Sequence, residues 1–199
     1  MHVTQTLPEG SEHLLRIDLQ RDRRIAIRVN VIGTLIMAVM AVAFHFLAVP
    51  FDRFLGPMDR LLPVLLHAAV MLTGYASYII LHELTHAAVM KAFGARSVRF
   101  GFTGLYAYAG SNVDYFNRVP YLLIAMAPMV TWGILFGIAQ CFVPEDWAWT
   151  VWFLQIGNIA GSVGDLYVSC RFAFIPSSIL IRDTGLAMDV YALPRHDNN

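Results

Sequence analysis

Leu81-His82-Glu83-Leu84-Thr85-His86 is a stretch whose residue types and spacing can do chemistry. On a helix, residues four apart share a face, so both imidazoles can reach one metal ion. Glu83 stands beside them on the same turn, where a carboxylate can act as general base towards a metal-bound water. The spacing predicts a hydrolytic zinc site with one ion, ligated by His82 and His86. The plain alternative is two satisfied histidines and a buried carboxylate in a helix-bundle core. That alternative leaves the spacing unexplained.

Zinc sites of this kind take a third protein ligand and keep one position open for water. The run Asn158-Ile159-Ala160-Gly161-Ser162-Val163-Gly164-Asp165 offers one, because Asp165 is the acid inside an otherwise apolar segment. The competing reading of Asp165 is a juxtamembrane acid that pairs with Arg171 or caps a backbone group. Asn158 lies seven residues before Asp165 on the same face, with Gly161 and Ser162 between them as small packing residues. Its amide can serve catalysis as a donor to a developing oxyanion, or it can bond across helices; both readings stand. Asp114 is a weaker third-ligand candidate and Asp189 weaker still. His67 is fifteen residues before His82, about 22 Å along a helix axis, and cannot reach the same ion. His45 sits near the end of an apolar segment, and His2, His13 and His196 lie in polar tails.

The elements that must position these groups are apolar. The chain has 199 residues, 57% hydrophobic and only 14% charged, where a soluble domain carries about 25% charged residues. The mean hydropathy of +0.57 agrees. Such a chain has too little polar surface to cover a soluble particle, so lipid is the expected solvent for much of it. Apolar segments at about 29–49, 61–93, 121–143 and 147–170 predict an all-α membrane bundle of about four transmembrane helices. Trp147, Trp149 and Trp152 at the start of the fourth suit an interfacial aromatic belt. Val98, Phe100 and Phe102 alternate with Arg99 and Gly101, and Tyr106 and Tyr108 alternate again, which predicts a short β-hairpin over 97–109. Ile179 and Ile181, the turn residues Asp183-Thr184-Gly185, then Met188 and Val190 predict one or two C-terminal strands. The expected organisation is an N-terminal segment 1–28, a membrane domain 29–176 and a tail 177–199. The polar stretch Met1 to Arg28 does not read as a cleavable signal peptide.

Arginine and lysine orient the chain. Twelve of the fourteen lie in the two ends, the loop after the second segment and their borders; only Arg53 and Arg60 lie in the other loops. By the positive-inside rule both termini are cytoplasmic in a multi-pass protein of the inner membrane. His86 then stands five residues before Lys91, and Asp165 six before Arg171. Both are about 8–9 Å from a cytoplasmic-side cation, so the third ligand is expected at the depth of the histidines. This orientation puts Cys141 and Cys170 at opposite faces, too far apart for a disulfide. No basic block suggests a nucleic-acid partner.

These residues resemble the intramembrane zinc metalloproteases of the site-2 protease type, and more closely the small bacterial membrane proteins of the putative zincin peptidase family. The resemblance runs over about residues 61–189. It rests on HExxH in a transmembrane segment, a following Gly-rich hairpin, Ala127-Pro128 in the next segment, and Asn158, Ser162, Gly164 and Asp165 in a later one. It departs from site-2 proteases in having Gly-Asp-Leu where they have Leu-Asp-Gly, and in lacking a PDZ-like domain. The resemblance implies zinc held by His82, His86 and Asp165, with Glu83 as base, in an endopeptidase acting on membrane-embedded or membrane-proximal protein segments near the cytoplasmic face. The rival is a non-catalytic membrane zinc protein with a regulatory or structural role. A transporter is a third reading, but the ionisable groups gather at one depth and no inverted repeat is visible.

Overall fold

The protein is seen here as a computed structural model that describes residues 3–19, 21–55, 61–104, 106–175 and 178–194. His2, Arg60, Ser177, Arg195 and His196, which the sequence reading places in loops and tails, lie outside them, as does Leu105 of the predicted hairpin. The elements in chain order are β1 (Val3–Thr4), β2 (Glu12–Asp18), α1 (Arg23–Leu47), the single turn α2 (Asp52–Leu55), α3 (Leu61–Ala92), β3 (Arg99–Phe102), β4 (Ala107–Gly110), β5 (Tyr115–Asn117), α4 (Arg118–Gln140), α5 (Glu145–Gly161), α6 (Val163–Ala173), β6 (Ile179–Asp183) and β7 (Ala187–Ala192). The fold is mostly helical with a small antiparallel sheet.

Local chemistry sets the helix ends. Asp22 caps α1: its Oδ1 accepts from the N–H groups of Arg24 and Ile25 at 3.0 and 3.2 Å. α3 stops at Gly94, whose φ of 96° only glycine takes cheaply. There the N–H groups of Gly94 and Ala95 turn back to the carbonyls of Lys91 and Met90. Pro144 opens α5, with Glu145 and Asp146 in its first turn, where acids suit the positive end of the helix dipole.

Three helices, α1, α3 and α4, are long and apolar enough to cross a membrane. Only 6%, 11% and 17% of their most apolar windows are buried within the protein. The expected fourth span differs. Residues 147–170 do not form one helix: α5 ends at Gly161, Ser162 takes φ −83° and ψ 9°, and α6 starts at Val163. Among the described residues there are thus five helices of eleven residues or more, not four. Glycine and serine at 161 and 162 have low helix propensity and no bulk to hold the turn together, so the break falls there.

The chain forms two compact units. The first comprises 1–27, 83–127 and 164–199; the second comprises 28–82 and 128–163. In the first unit a five-stranded antiparallel sheet runs β1-β5-β6-β7-β2. The N-terminal segment therefore supplies two strands that the alternation pattern does not reveal. Phe116, Tyr121, Ile124, Val168, Phe172, Ile181 and Val190 fill the core of this unit. The hairpin β3–β4 pairs Arg99 with Gly110 through Phe102 with Ala107, and the turn between β6 and β7 uses Gly185 at φ 81°.

The second unit packs aromatic rings. Phe44 stacks on Trp152 at 4.5 Å and meets Trp149 edge-on at 5.0 Å. Trp149 is 2% exposed and its Nε1 donates to the Val49 carbonyl. It is a core residue of this unit. His67 stacks on Trp147 at 4.2 Å and is hydrogen-bonded to the Thr150 hydroxyl at 3.1 Å, which accounts for this buried histidine without a metal.

Candidate metal centre

α3 carries His82, Glu83 and His86, and α6 carries Asp165 in its first turn. One ligand atom from each of His82, His86 and Asp165 lies within 4.8 Å of the others. His86 Nε2 is 3.6 Å from Asp165 Oδ1. A tetrahedral zinc site with bonds of about 2.1 Å sets its ligand atoms about 3.4 Å apart, so this pair is already at the separation that an ion needs. Two imidazoles and a carboxylate are also the donor set of hydrolytic zinc centres, with room for a fourth ligand. The residues fit the metal.

The elements also aim the rings. His86 Nδ1 is 2.9 Å from the carbonyl oxygen of Ile124. A carbonyl only accepts, so Nδ1 carries the hydrogen and Nε2 keeps its lone pair for a metal. Ile124 can spare that carbonyl because of Pro128, which lies inside α4. The residue four positions after Ile124 would normally donate to it, and proline has no N–H. The Ala-Pro pair read from the sequence thus has a physical task in α4. His86 is 8% exposed, while the side chains of His82, Glu83 and Asp165 are half-buried.

His82 is oriented by a residue that sequence reasoning missed. The hydroxyl of Tyr78 lies 2.9 Å from His82 Nδ1 and donates to Asn158 Oδ1 at 2.9 Å. Asn158 Nδ2 donates to the Met129 carbonyl at 3.0 Å, and the residue is fully buried. The amide read as a possible oxyanion donor is engaged by the protein at both ends. The signal for Tyr78 was its place four residues before His82, on the same helix face.

The weaker candidates have other partners. Asp114 is fully buried. It accepts from Ser111 Oγ at 2.7 Å, from the Ser97 N–H at 3.2 Å and from Gln5 Nε2 at 3.2 Å. Burial pushes its carboxyl up, but these hydrogen bonds outweigh burial and hold it below the usual carboxylate value. Asp189 is bridged by Arg182 at 3.0 Å, His13 at 3.3 Å and Arg16 at 3.6 Å. Burial again pushes up, and the bonds from Arg182 and His13 hold it low. His45 Nδ1 accepts from the Phe51 N–H at 2.9 Å. Cys141 and Cys170 are both free thiols. One further buried acid belongs to the first unit. Asp183 accepts from the Tyr121 hydroxyl at 2.8 Å and from the Gly185 N–H at 2.7 Å. Burial pushes its carboxyl above the ordinary value despite those bonds.

No curated protein and no solved structure matches the chain. A family model described as "putative zincin peptidase" matches residues 75–180, from just before Tyr78 to beyond Asp165. The matched stretch is more than half of the chain and points in general to a zinc metallopeptidase. The chain belongs to the putative zincin peptidase family.

Proposed function

We propose that this protein is a site-2-protease-like intramembrane endopeptidase of the inner membrane. It would hydrolyse peptide bonds in membrane-embedded or membrane-proximal segments of other membrane proteins near the cytoplasmic face. The observation that carries this reading is the approach of Asp165 of α6 to His82 and His86, all within 4.8 Å, with the two histidines on α3, a helix apolar enough to cross a membrane. Polar groups at such depth are costly unless they serve a site.

In this reading His82, His86 and Asp165 hold one Zn2+. A bound zinc ion supplies Lewis acidity, polarising a carbonyl and bringing the pKa of a coordinated water towards 7. Glu83 takes the proton of the attacking water and returns it to the leaving nitrogen. A helical substrate must first unwind, and the exposed Phe100 and Phe102 of β3 offer a strand edge and apolar contacts for the released segment. The shared sheet supports the orientation. β1 and β2 precede α1, β5 follows α3, and β6 and β7 follow α6. All five pair in one sheet, which supports a common side for the N-terminal segment, the middle loop and the tail. The arginine distribution favours the cytoplasmic side for it.

Glu83→Gln is the test. The purified variant in detergent should keep one zinc per chain and lose cleavage of membrane peptides by at least about 100-fold. Membrane peptides trapped by the variant should match those cut by the wild type. A wild type that holds zinc and cuts nothing would instead support the regulatory or structural zinc protein.

A further inference from the structure

His82 can present a lone pair from either ring nitrogen, and only one tautomer puts that lone pair on Nε2. The hydrogen-bond chain behind His82 makes that choice. The Met129 carbonyl can only accept, so the nitrogen of the Asn158 amide must face it, as it does at 3.0 Å. That fixes the amide against flipping and turns Oδ1 towards Tyr78. Oδ1 can only accept, so the single hydroxyl hydrogen of Tyr78 is spent on it, at 2.9 Å. The Tyr78 oxygen then has only lone pairs left for His82 Nδ1, also at 2.9 Å. Nδ1 must therefore carry the ring hydrogen, and Nε2 carries none.

The local sequence allows this. A Cβ on Gly133 would stand 3.3 Å from Asn158 Nδ2, tighter than ordinary contact, so glycine there gives the amide room to reach α4. Asn158 is fully buried and Tyr78 is 5% exposed, so water does not compete for these bonds. An apolar bundle has little reason to bury such a chain unless it is satisfied throughout and orients something.

We propose that Tyr78 and Asn158 are positioning residues that lock His82 in the tautomer that binds zinc through Nε2. Neither touches substrate. The carbonyl of Met129 is the fixed end of the chain, and the lone pair at His82 Nε2 is its output. The inference rests on the zinc assignment above. It gives Asn158 a role through His82 in place of a role on the substrate.

The test uses the full chain purified in detergent, with Tyr78→Phe, Asn158→Ala, the double variant, and Thr150→Val as a control. Thr150→Val removes a different buried polar pair, that with His67. Zinc affinity is measured by competition with a chelator. The tautomer is read from the ring-nitrogen resonances of 15N-histidine-labelled, zinc-free protein. Tyr78→Phe and Asn158→Ala should each weaken zinc roughly 10- to 100-fold, the size seen when a partner behind a ligand is lost. The double variant should be no worse than the more affected single one, because both act through one chain. His82 should be Nδ1-protonated in the wild type and mixed in Tyr78→Phe. Thr150→Val should lower the melting temperature and leave zinc affinity unchanged. Tyr78→Phe with wild-type zinc affinity, or a Tyr78→Phe effect confined to melting temperature, overturns the proposal. A wild type that binds zinc without cleaving peptides overturns the peptidase reading alone.

Discussion

Pro128 stands four residues after Ile124 in α4 and offers it no N–H, and the carbonyl thus released meets His86 Nδ1 at 2.9 Å. A defect in one helix supplies the orienting acceptor for a group on another. Proline inside a helix costs about 3 kcal/mol relative to alanine. Pro128→Ala should therefore raise the thermal stability of the zinc-free protein. It should also weaken zinc several-fold, because the restored N–H competes for the Ile124 carbonyl. Calorimetry and chelator titration read the two effects separately, and their opposite signs are the signature. A variant that melts lower and binds zinc normally would mean that Pro128 serves packing alone.

Asp183 carries a pH dependence of definite sign. Burial raises its folded-state pKa above the ordinary 3.8. A carboxyl raised on folding binds its proton more tightly in the native state. Its contribution to stability is fully present below the unfolded pKa and is lost as pH rises through the raised folded value. Asp183→Asn should flatten that part of the curve, so the stability difference between variant and wild type should grow in the variant's favour as pH rises. Tyr121→Phe, which leaves the carboxylate one donor short, should cost about 1–3 kcal/mol and most of it at the higher pH. Denaturant unfolding across pH values from 4 to 8 measures both. A difference that does not change with pH would refute the assignment.

The hairpin is seated on the β6–β7 turn by a backbone approach that tolerates no side chain. A Cβ on Gly110 would lie 2.2 Å from the Gly185 nitrogen and 2.3 Å from the Thr184 carbonyl carbon. The Ser111 N–H beside it bonds the Asp183 carbonyl at 2.6 Å. Gly110→Ala should cost about 1–3 kcal/mol, because backbone rather than a flexible side chain must move. Hydrogen exchange at Ser111 should quicken by a similar energy. Protection unchanged at Ser111 would show that the hairpin is held elsewhere.

How much of this could be read in advance depended on how local each signal was. His82, Glu83 and His86 were legible because one helical turn brings them together whatever else folds. Asp165 could be picked out as a candidate because an acid stands out in an apolar segment, and the structure brings it beside the two histidines. Tyr78 was not, since its task appears only once Asn158, eighty residues away, is beside it. The three long helices follow from runs of apolar residues, but the break at Ser162 does not, because the sequence stays apolar on both sides. β2 was hidden by its own irregularity. Its register shifts between His13 and Leu15, which puts Leu14 and Leu15 side by side and spoils the alternation. The partners of β1 and β2 also lie far along the chain, where no local pattern announces them.

That distant pairing has a consequence for how the protein is made. β2 leaves the ribosome ahead of every described helix, yet its one neighbour in the sheet is β7, with Glu12 opposite Ala192. Until synthesis is nearly over, β2 is an open edge, the kind of strand that recruits wrong partners. Its exposed Glu12, His13 and Arg16 are polar gatekeepers that keep such an edge soluble while it waits. The β2–β7 pairing can form only once nearly the whole chain has been made. A nascent chain stalled before β7 would hold His82, His86 and Asp165 and still lack the strand against which β2 pairs.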